Sequence, residues 1–221
     1  EMKDSGVEWI GEIPKHWSFI KLSRLISASH LGENYTTTNI QNSIPVMKMG
    51  NLGRGYFDFT KIEYLEDIST INPDNILEKG DFLFNTRNSS ELVGKVCVWD
   101  GSLDNASFNS NILRIRFNNK TTSWYMGFLF NSKSILDLLR LTSKGTTSVS
   151  AIYYKDLSEI YVPIPSFSEQ DQIIQVLKYE MRQKQSFIGK ELKKIKLIKE
   201  YRQSLISSVV TGKVRVTEDM M

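Results

Sequence analysis

The sequence predicts an α+β fold, a mixed strand-and-helix domain followed by one very long α-helix. Three observations predict it. Short apolar runs separated by Gly, Asn and Asp recur between residues 44 and 117. Before residue 160 only one stretch, residues 124–141, carries clear helical periodicity. From Ser168 onward that periodicity runs for about forty residues without a proline, to a stop at Thr211-Gly212-Lys213.

Taken in order, residues 1–20 hold Trp9, Trp17 and Pro14. That is too apolar for a free tail, so the segment is expected to lie as a lead-in on the protein surface, with both tryptophans buried. Residues 21–165 are expected to form the domain. Residues 19–29 read as a short strand or a helix. Residues 44–49 read as a strand that ends in the loop Gly50-Asn51-Leu52-Gly53-Arg54-Gly55, where three glycines allow unusual backbone angles. Strands follow at 81–84, 92–99 and 111–117. In the last, Ile112, Arg114 and Arg116 alternate with Leu113, Ile115 and Phe117, the pattern of a half-buried sheet. Residues 124–141 form one helix, apolar at Tyr125, Phe128, Leu129, Ile135, Leu138 and Leu139. Strands first and then a helix, joined by short loops, define the α+β class.

The long helix is expected over 166–212, with 213–221 as a tail. Val162-Pro163-Ile164-Pro165 leads in, Ser168 can cap the first free amides, and Asp171 stands at capping-box distance. Gly212 is a natural stop. At ~1.5 Å per residue the rod is about 64 Å long. Its apolar stripe fits a heptad, with Ile174, Met181, Ile188, Ile195, Arg202 and Val209 at one core position and Leu177, Lys184, Glu191, Ile198 and Leu205 at the other. Nothing else in the chain matches this length, so the stripe implies a partner helix, most simply a second copy. Ile174, Leu177, Met181, Ile188, Ile195, Ile198, Leu205 and Val209 are the expected interface. An antiparallel pairing would set Lys184 near Glu191.

Composition narrows the function. No apolar run approaches the ~20 residues of a membrane helix, and residues at the N-terminus are acidic and polar, so a cytoplasmic protein is expected. Cys97 is the single cysteine, accompanied only by His16 and His30, which excludes an internal disulfide and disfavours a Cys/His metal site. Charge is unevenly spread. Residues 169–202 carry nine basic side chains against five acidic ones, while the whole chain is only +3. That surplus reads either as a solvated helix face or as a basic surface facing nucleic acid or an acidic partner.

Catalytic patterns are missing from the sequence. Asn72-Pro73-Asp74-Asn75 lacks the second proline and aromatic of an amino-methyltransferase motif. Gly50, Gly53 and Gly55 follow a strand but lack cofactor-loop spacing. Glu191-Leu192-Lys193 sits on the long helix, and neither histidine has a Ser or Cys partner for a triad.

Four blocks resemble one family. Gly6 to Trp17 resembles the G-x-x-W-[LI]-G-E-I-P-x-H-W opening of the specificity subunits of type I restriction–modification enzymes. Gly80-Asp81-Phe82-Leu83-Phe84-Asn85-Thr86-Arg87-Asn88 with Leu92-Val93-Gly94-Lys95 resembles the middle of their target-recognition domains. Gly145-Thr146-Thr147, Val162-Pro163-Ile164-Pro165 and Glu169-Gln170-Asp171-Gln172-Ile173 resemble the junction into their spacer helix, and residues 205–214 resemble its end. The resemblance implies a non-catalytic, sequence-reading DNA-binding subunit. Its partners would be double-stranded DNA, methyltransferase and restriction subunits, and a second half subunit. It binds no cofactor itself, S-adenosylmethionine, Mg and ATP being implied for the partner subunits. Family members usually carry two recognition domains and two spacer helices; one of each implies a half-length subunit or a fragment. A coiled-coil scaffold that binds protein is the alternative.

Polar loops supply the candidate DNA contacts: Lys48, Asn51 and Arg54; Asn85, Arg87, Asn88 and Ser89; Asn109, Ser110 and Asn111; Lys144, Thr146 and Thr147; and Tyr153 and Lys155 behind them. Arg can read guanine and Asn adenine in the major groove, while Gly145 and its threonines can present amides to a phosphate. The same Asn, Ser and Gly residues are also ordinary turn formers. Tyr153 and Tyr154 either stack on bases or pack in the core.

Overall fold

A computed structural model describes residues 1–7, 10–41, 44–146 and 148–215, and the chain divides into two units, Glu1–Ile174 and Gln175–Met221. The first opens with a hairpin of β1 (Met2–Asp4) and β2 (Glu12–Pro14). Next come β3 (Ser18–Lys21), a 3-10 turn at Leu22–Arg24 and β4 (Ile26–Leu31), then β5 (Thr37–Thr38), β6 (Pro45–Met47), β7 (Glu63–Leu65), β8 (Phe82–Asn85), β9 (Arg87–Asn88), β10 (Val96–Val98), β11 (Ser107–Phe108) and β12 (Ile112–Phe117). The helical part contains α1 (Ser123–Phe130) and α2 (Lys133–Thr142), followed by β13 (Lys144–Gly145), β14 (Ser150–Ala151), the short α3 (Tyr154–Ser158), β15 (Tyr161–Ile164) and α4 (Phe167–Val210).

The central sheet, ordered β10-β8-β12-β4, is antiparallel throughout. Successive side chains in a strand point to opposite faces, and here each face meets its own core. Phe82, Phe84, Val96, Val98, Leu113 and Ile115 pack with Tyr125, Met126, Phe130, Ile135 and Leu139 of α1 and α2. The residues between them, Leu83, Cys97 and Ile112, pack with Met47, Leu52, Trp99 and Phe108 on the other side. Phe82 meets Phe130 edge-on, with ring centroids 5.4 Å apart. Each fully buried Phe of this kind contributes ~2–3 kcal/mol. The second sheet, β11-β6-β7-β5, is antiparallel except for the parallel β11–β6 pair.

Several sequence expectations change here. Strand 111–117 was expected to face water on one side, but Ile112 to Ile115 are all buried because both sheet faces are covered. Even Arg114 is buried; its guanidinium lies over the Phe108 ring at 5.8 Å and donates to the Asp74 carbonyl at 2.5 Å. Of 92–99 only Val96–Val98 is strand, since Gly94, at φ +74°, turns the chain ahead of it. The single helix 124–141 is two, parted at Asn131, whose amide donates to the carbonyls of Val96 and Gly127 and so ends α1. In the glycine loop only Gly55 has positive φ. Trp17 is half-buried rather than buried, and Trp9 lies outside the described residues.

The long helix begins at Phe167, within the expected 166–212 span. Its cap is Ser166, not Ser168. The Glu169 amide donates to Ser166 Oγ at 3.3 Å, and Ser166 N and Oγ donate back to Glu169 Oε2 at 3.1 and 2.8 Å. That reciprocal pair is a capping box, and it uses Glu169 instead of Asp171. The other carboxylate oxygen, Oε1, bonds His16 Nε2 at 2.7 Å and accepts from Trp17 Nε1 at 3.3 Å, so the lead-in is tied to the start of α4. These partners, His16 foremost, hold the Glu169 carboxyl down at about 2. One residue on, Gln170 is fully buried and all four of its amide bonds are made: Oε1 accepts from Thr121 Oγ1 and Thr122 N, and Nε2 donates to the carbonyls of Lys120 and Pro165. Ile174 completes this anchor in the first core.

In the second unit α4 continues to Val210. Gly212, at φ +71°, ends it as expected: its amide donates to Val209 O, and that of Lys213 to Ser208 O, the two bonds of a Schellman stop. From Leu177 to Leu205 the apolar positions of the stripe are exposed, including Ile188, Ile195 and Ile198, and Val209 is half-buried.

Candidate nucleic-acid interface

A three-stranded sheet of two-residue strands carries the candidate site. β13, β14 and β9 pair in that order, antiparallel, with Ala151 opposite both Arg87 and Lys144, and Ser150 opposite both Asn88 and Gly145. Directly paired residues share a sheet face, so this ladder carries Arg87 and Lys144, 57 positions apart in sequence, on one side at two strand spacings, ~9–10 Å. Gly145 is required here. It sits at φ +134°, and a Cβ would come within 2.2 Å of the Val149 carbonyl oxygen.

A second anchor holds the 109–111 turn. A Cβ on Gly32 would meet the Asn109 carbonyl oxygen at 2.3 Å, so glycine lets the end of β4 approach this closely. Ser110 N donates to Glu33 O, and on the other side Thr86 N donates to Asn111 O. The turn serves two clefts. Ser110 lines one of about 270 Å³ with Leu31, Asn34, Thr86, Arg87, Tyr153 and Tyr154. Asn109 and Asn111 line another of about 340 Å³ with Lys48, Asn51 and Glu63.

The polar candidates divide by what they already hold. Asn85 is fully buried; its amide donates to the carbonyls of Arg87 and Asn111 and its oxygen accepts from Asn88 Nδ2. Asn51, also buried, accepts from Lys48 N and donates to the carbonyls of Asp58 and Lys61. Arg54 braces the turn before β10 through the carbonyls of Glu91 and Gly94, and burial lowers its pKa. Lys48 is bound to Glu63 and Thr37, bonds that hold the Glu63 carboxyl below its usual range. Asn88 caps Ser89 N, Asn109 accepts from Asn111 N, and Ser110 Oγ donates to Asn34. These groups shape the loops.

Others face solvent. Arg87 is exposed, and among the described residues nothing binds its guanidinium; Lys155 is likewise exposed and unpaired. Lys144 is exposed, bridged to Asp156 at 2.7 Å and 5.9 Å from the centre of the Tyr153 ring. Thr146 is exposed and shares a hydrogen bond with Ser148, while Thr147 lies outside the described residues. Tyr153 and Tyr154 both line the cleft instead of packing in the core.

No group of His, Cys, Asp and Glu able to hold a metal occurs among the described residues. The Cys97 thiol is pushed up to about 12 by burial, far from the thiolate a nucleophile needs. No helix among the described residues is long and apolar enough to cross a membrane.

Comparison with known proteins decides the family. The type I restriction modification DNA specificity domain matches residues 14–197. The chain belongs to this family. The type I restriction enzyme MjaVIII specificity subunit of Methanocaldococcus jannaschii is 24% identical over 94% of the chain and 48% of its own length. In structure, a chain from work on complex assembly and conformational transition of the type I R-M system superposes with a TM-score of 0.69 at 16% identity, over 94% of this chain and 48% of that one. The HsdS subunit from Thermoanaerobacter tengcongensis follows at 0.56 and 18% identity, over 82% and 40%. The chain spans about half the length of the curated relatives it matches. Within this specificity-domain family the observed fold, strands and paired helices ahead of one long helix, is the α+β class expected.

Gln170 is what sequence reasoning missed as a working residue. Its signal was present, a Gln on the first turn after a capping serine, but a polar residue there reads as solvent-facing until Thr121 and Lys120 are seen around it.

Proposed function

We propose that this chain reads one half of a two-part DNA sequence and performs no chemistry itself. The observation that supports it best is the β13-β14-β9 ladder, which gathers three polar loops into one surface with Arg87 uncommitted beside a cleft. In this reading Arg87, Lys144, Lys155 and Thr146, with Thr147, meet phosphates and base edges. Ser110, Asn111 and Tyr153 line the approach. Asn51, Asn85, Asn88 and Arg54 set the loop shapes. The residues 21–165 act as the recognition domain and 166–212 as the spacer helix.

The exposed stripe of α4 pairs with a second copy or another half subunit. An antiparallel arrangement sets Lys184 against Glu191 and would make two identical halves read an inverted repeat. Methyltransferase and restriction subunits, which bring S-adenosylmethionine, Mg and ATP, dock on the assembled pair in the cytoplasm. The test is fluorescence anisotropy with duplexes selected from a random library. Specific binding is expected to weaken steeply with added salt, and Arg87→Glu is expected to weaken it at least tenfold with the association state unchanged. Site selection unaltered by Arg87→Glu would remove that residue from the interface; no duplex selected at all would remove the function.

A further inference from the structure

The Arg87 cleft has an apolar interior that hydrogen bonding to DNA does not explain. Leu31, Leu113, Ala151 and Ile152 line it together with the two tyrosines. Leu31 is 49% exposed, Tyr153 53% and Tyr154 44%. Exposed apolar surface concentrated in one place is surface that a bound partner covers. Its margin is polar, with Arg87, Asn34 and Ser110.

Charge limits what enters and from where. Arg87 and Lys155 are unpaired cations among the described residues, whereas the adjoining cleft, which shares Asn34, holds Glu33, Glu66 and Asp67. A phosphate backbone is therefore drawn to the Arg87 side and repelled from the other. A base edge placed between the two would meet the apolar interior. In the major groove a base edge offers one apolar group, the C5 methyl of thymine.

We propose that this cleft seats a pyrimidine 5-methyl group, so that one position of the half-site is read by apolar contact. The proposal rests on the DNA-reading function above and names how one part of that surface discriminates.

The full chain is used to select duplexes, and the selected site is then resynthesised with each thymine singly replaced by deoxyuridine, which lacks only the methyl. One position is expected to lose about fourfold in affinity, the value of one buried methyl-sized group, while the others change little. Leu31→Ala and Tyr153→Ala, both at exposed positions, are expected to bind the thymine and deoxyuridine duplexes equally and to keep the parent's melting temperature. Equal binding by the parent at every position overturns the proposal. So does a selected site without thymine, or full discrimination retained by both variants. Failure to select any duplex overturns the DNA-reading function as well, and that outcome is distinct from the other three.

Discussion

The two units treat the same residue types in opposite ways. In Glu1–Ile174, Phe82, Leu83, Phe84, Ile112 and Ile115 are wholly out of water because each sheet face has its own cover. In Gln175–Met221, Ile188, Ile195 and Ile198 are about half exposed on α4. Apolar composition alone does not separate these cases; the period does. A period of two serves a sheet covered on both faces, and a seven-residue repeat makes a stripe that one helix cannot bury. The first unit therefore carries its own core, whereas the second leaves its stripe open to water, and under the proposed pairing its order would depend on concentration.

Four experiments press on that contrast. Phe82→Ala should be the most damaging, costing about 3–5 kcal/mol, read as a fall in the melting temperature of the first unit at every protein concentration; a concentration-dependent loss would erase the distinction. Ile188→Asp combined with Ile195→Asp should weaken self-association by about 3 kcal/mol or more, over a hundredfold. Sedimentation would show it, and the melting of the first unit should stay in place. Dimers persisting in that variant would rule out pairing through the stripe.

A smaller effect is expected of Gln170→Ala, about 2 kcal/mol, because it strands Thr122 N and the Lys120 carbonyl without their partner. Denaturant unfolding measures it, and a loss under 0.5 kcal/mol would mean that the anchor is dispensable. The smallest is a pH effect at Glu169. Its carboxyl is held at about 2 in the folded chain against an ordinary 4.5. Its contribution is therefore fully present above pH 4.5, shrinks as pH falls from there, and is gone once pH passes below about 2. Glu169→Gln should flatten the dependence of melting temperature on pH between 4.5 and 2 and leave it unchanged in shape above that window. Equal slopes in parent and variant would detach the lead-in from the start of α4.

Much of the scaffold was legible because long elements repeat. The strands at 82–85 and 112–117, α4 and its stop at Gly212 follow from apolar runs and a glycine. The interface was less so. β9, β13 and β14 have two residues each, too few to show any period, so their ladder arises only when tertiary packing brings the loops together. The asparagines are hard to read for a related reason. Asn85 and Asn51 have the chemistry of base readers, but the same amide satisfies interior carbonyls, and only burial tells the two uses apart. Glu169 lay in a recognisable Ser-x-x-Glu spacing, two residues ahead of the Ser168–Asp171 pair.

Under the proposed function, the ladder of β13, β14 and β9 also bears on how new sequence preferences could be engineered. Arg87–Asn88 and Lys144–Gly145 each pair with Ser150–Ala151 between them, so exchanging either outer piece with a relative's would disturb the central one, and exchanging the central one would disturb both. A transplant that moves all three pieces as a set, with the Gly145 bend included, is the smallest graft that keeps the ladder intact.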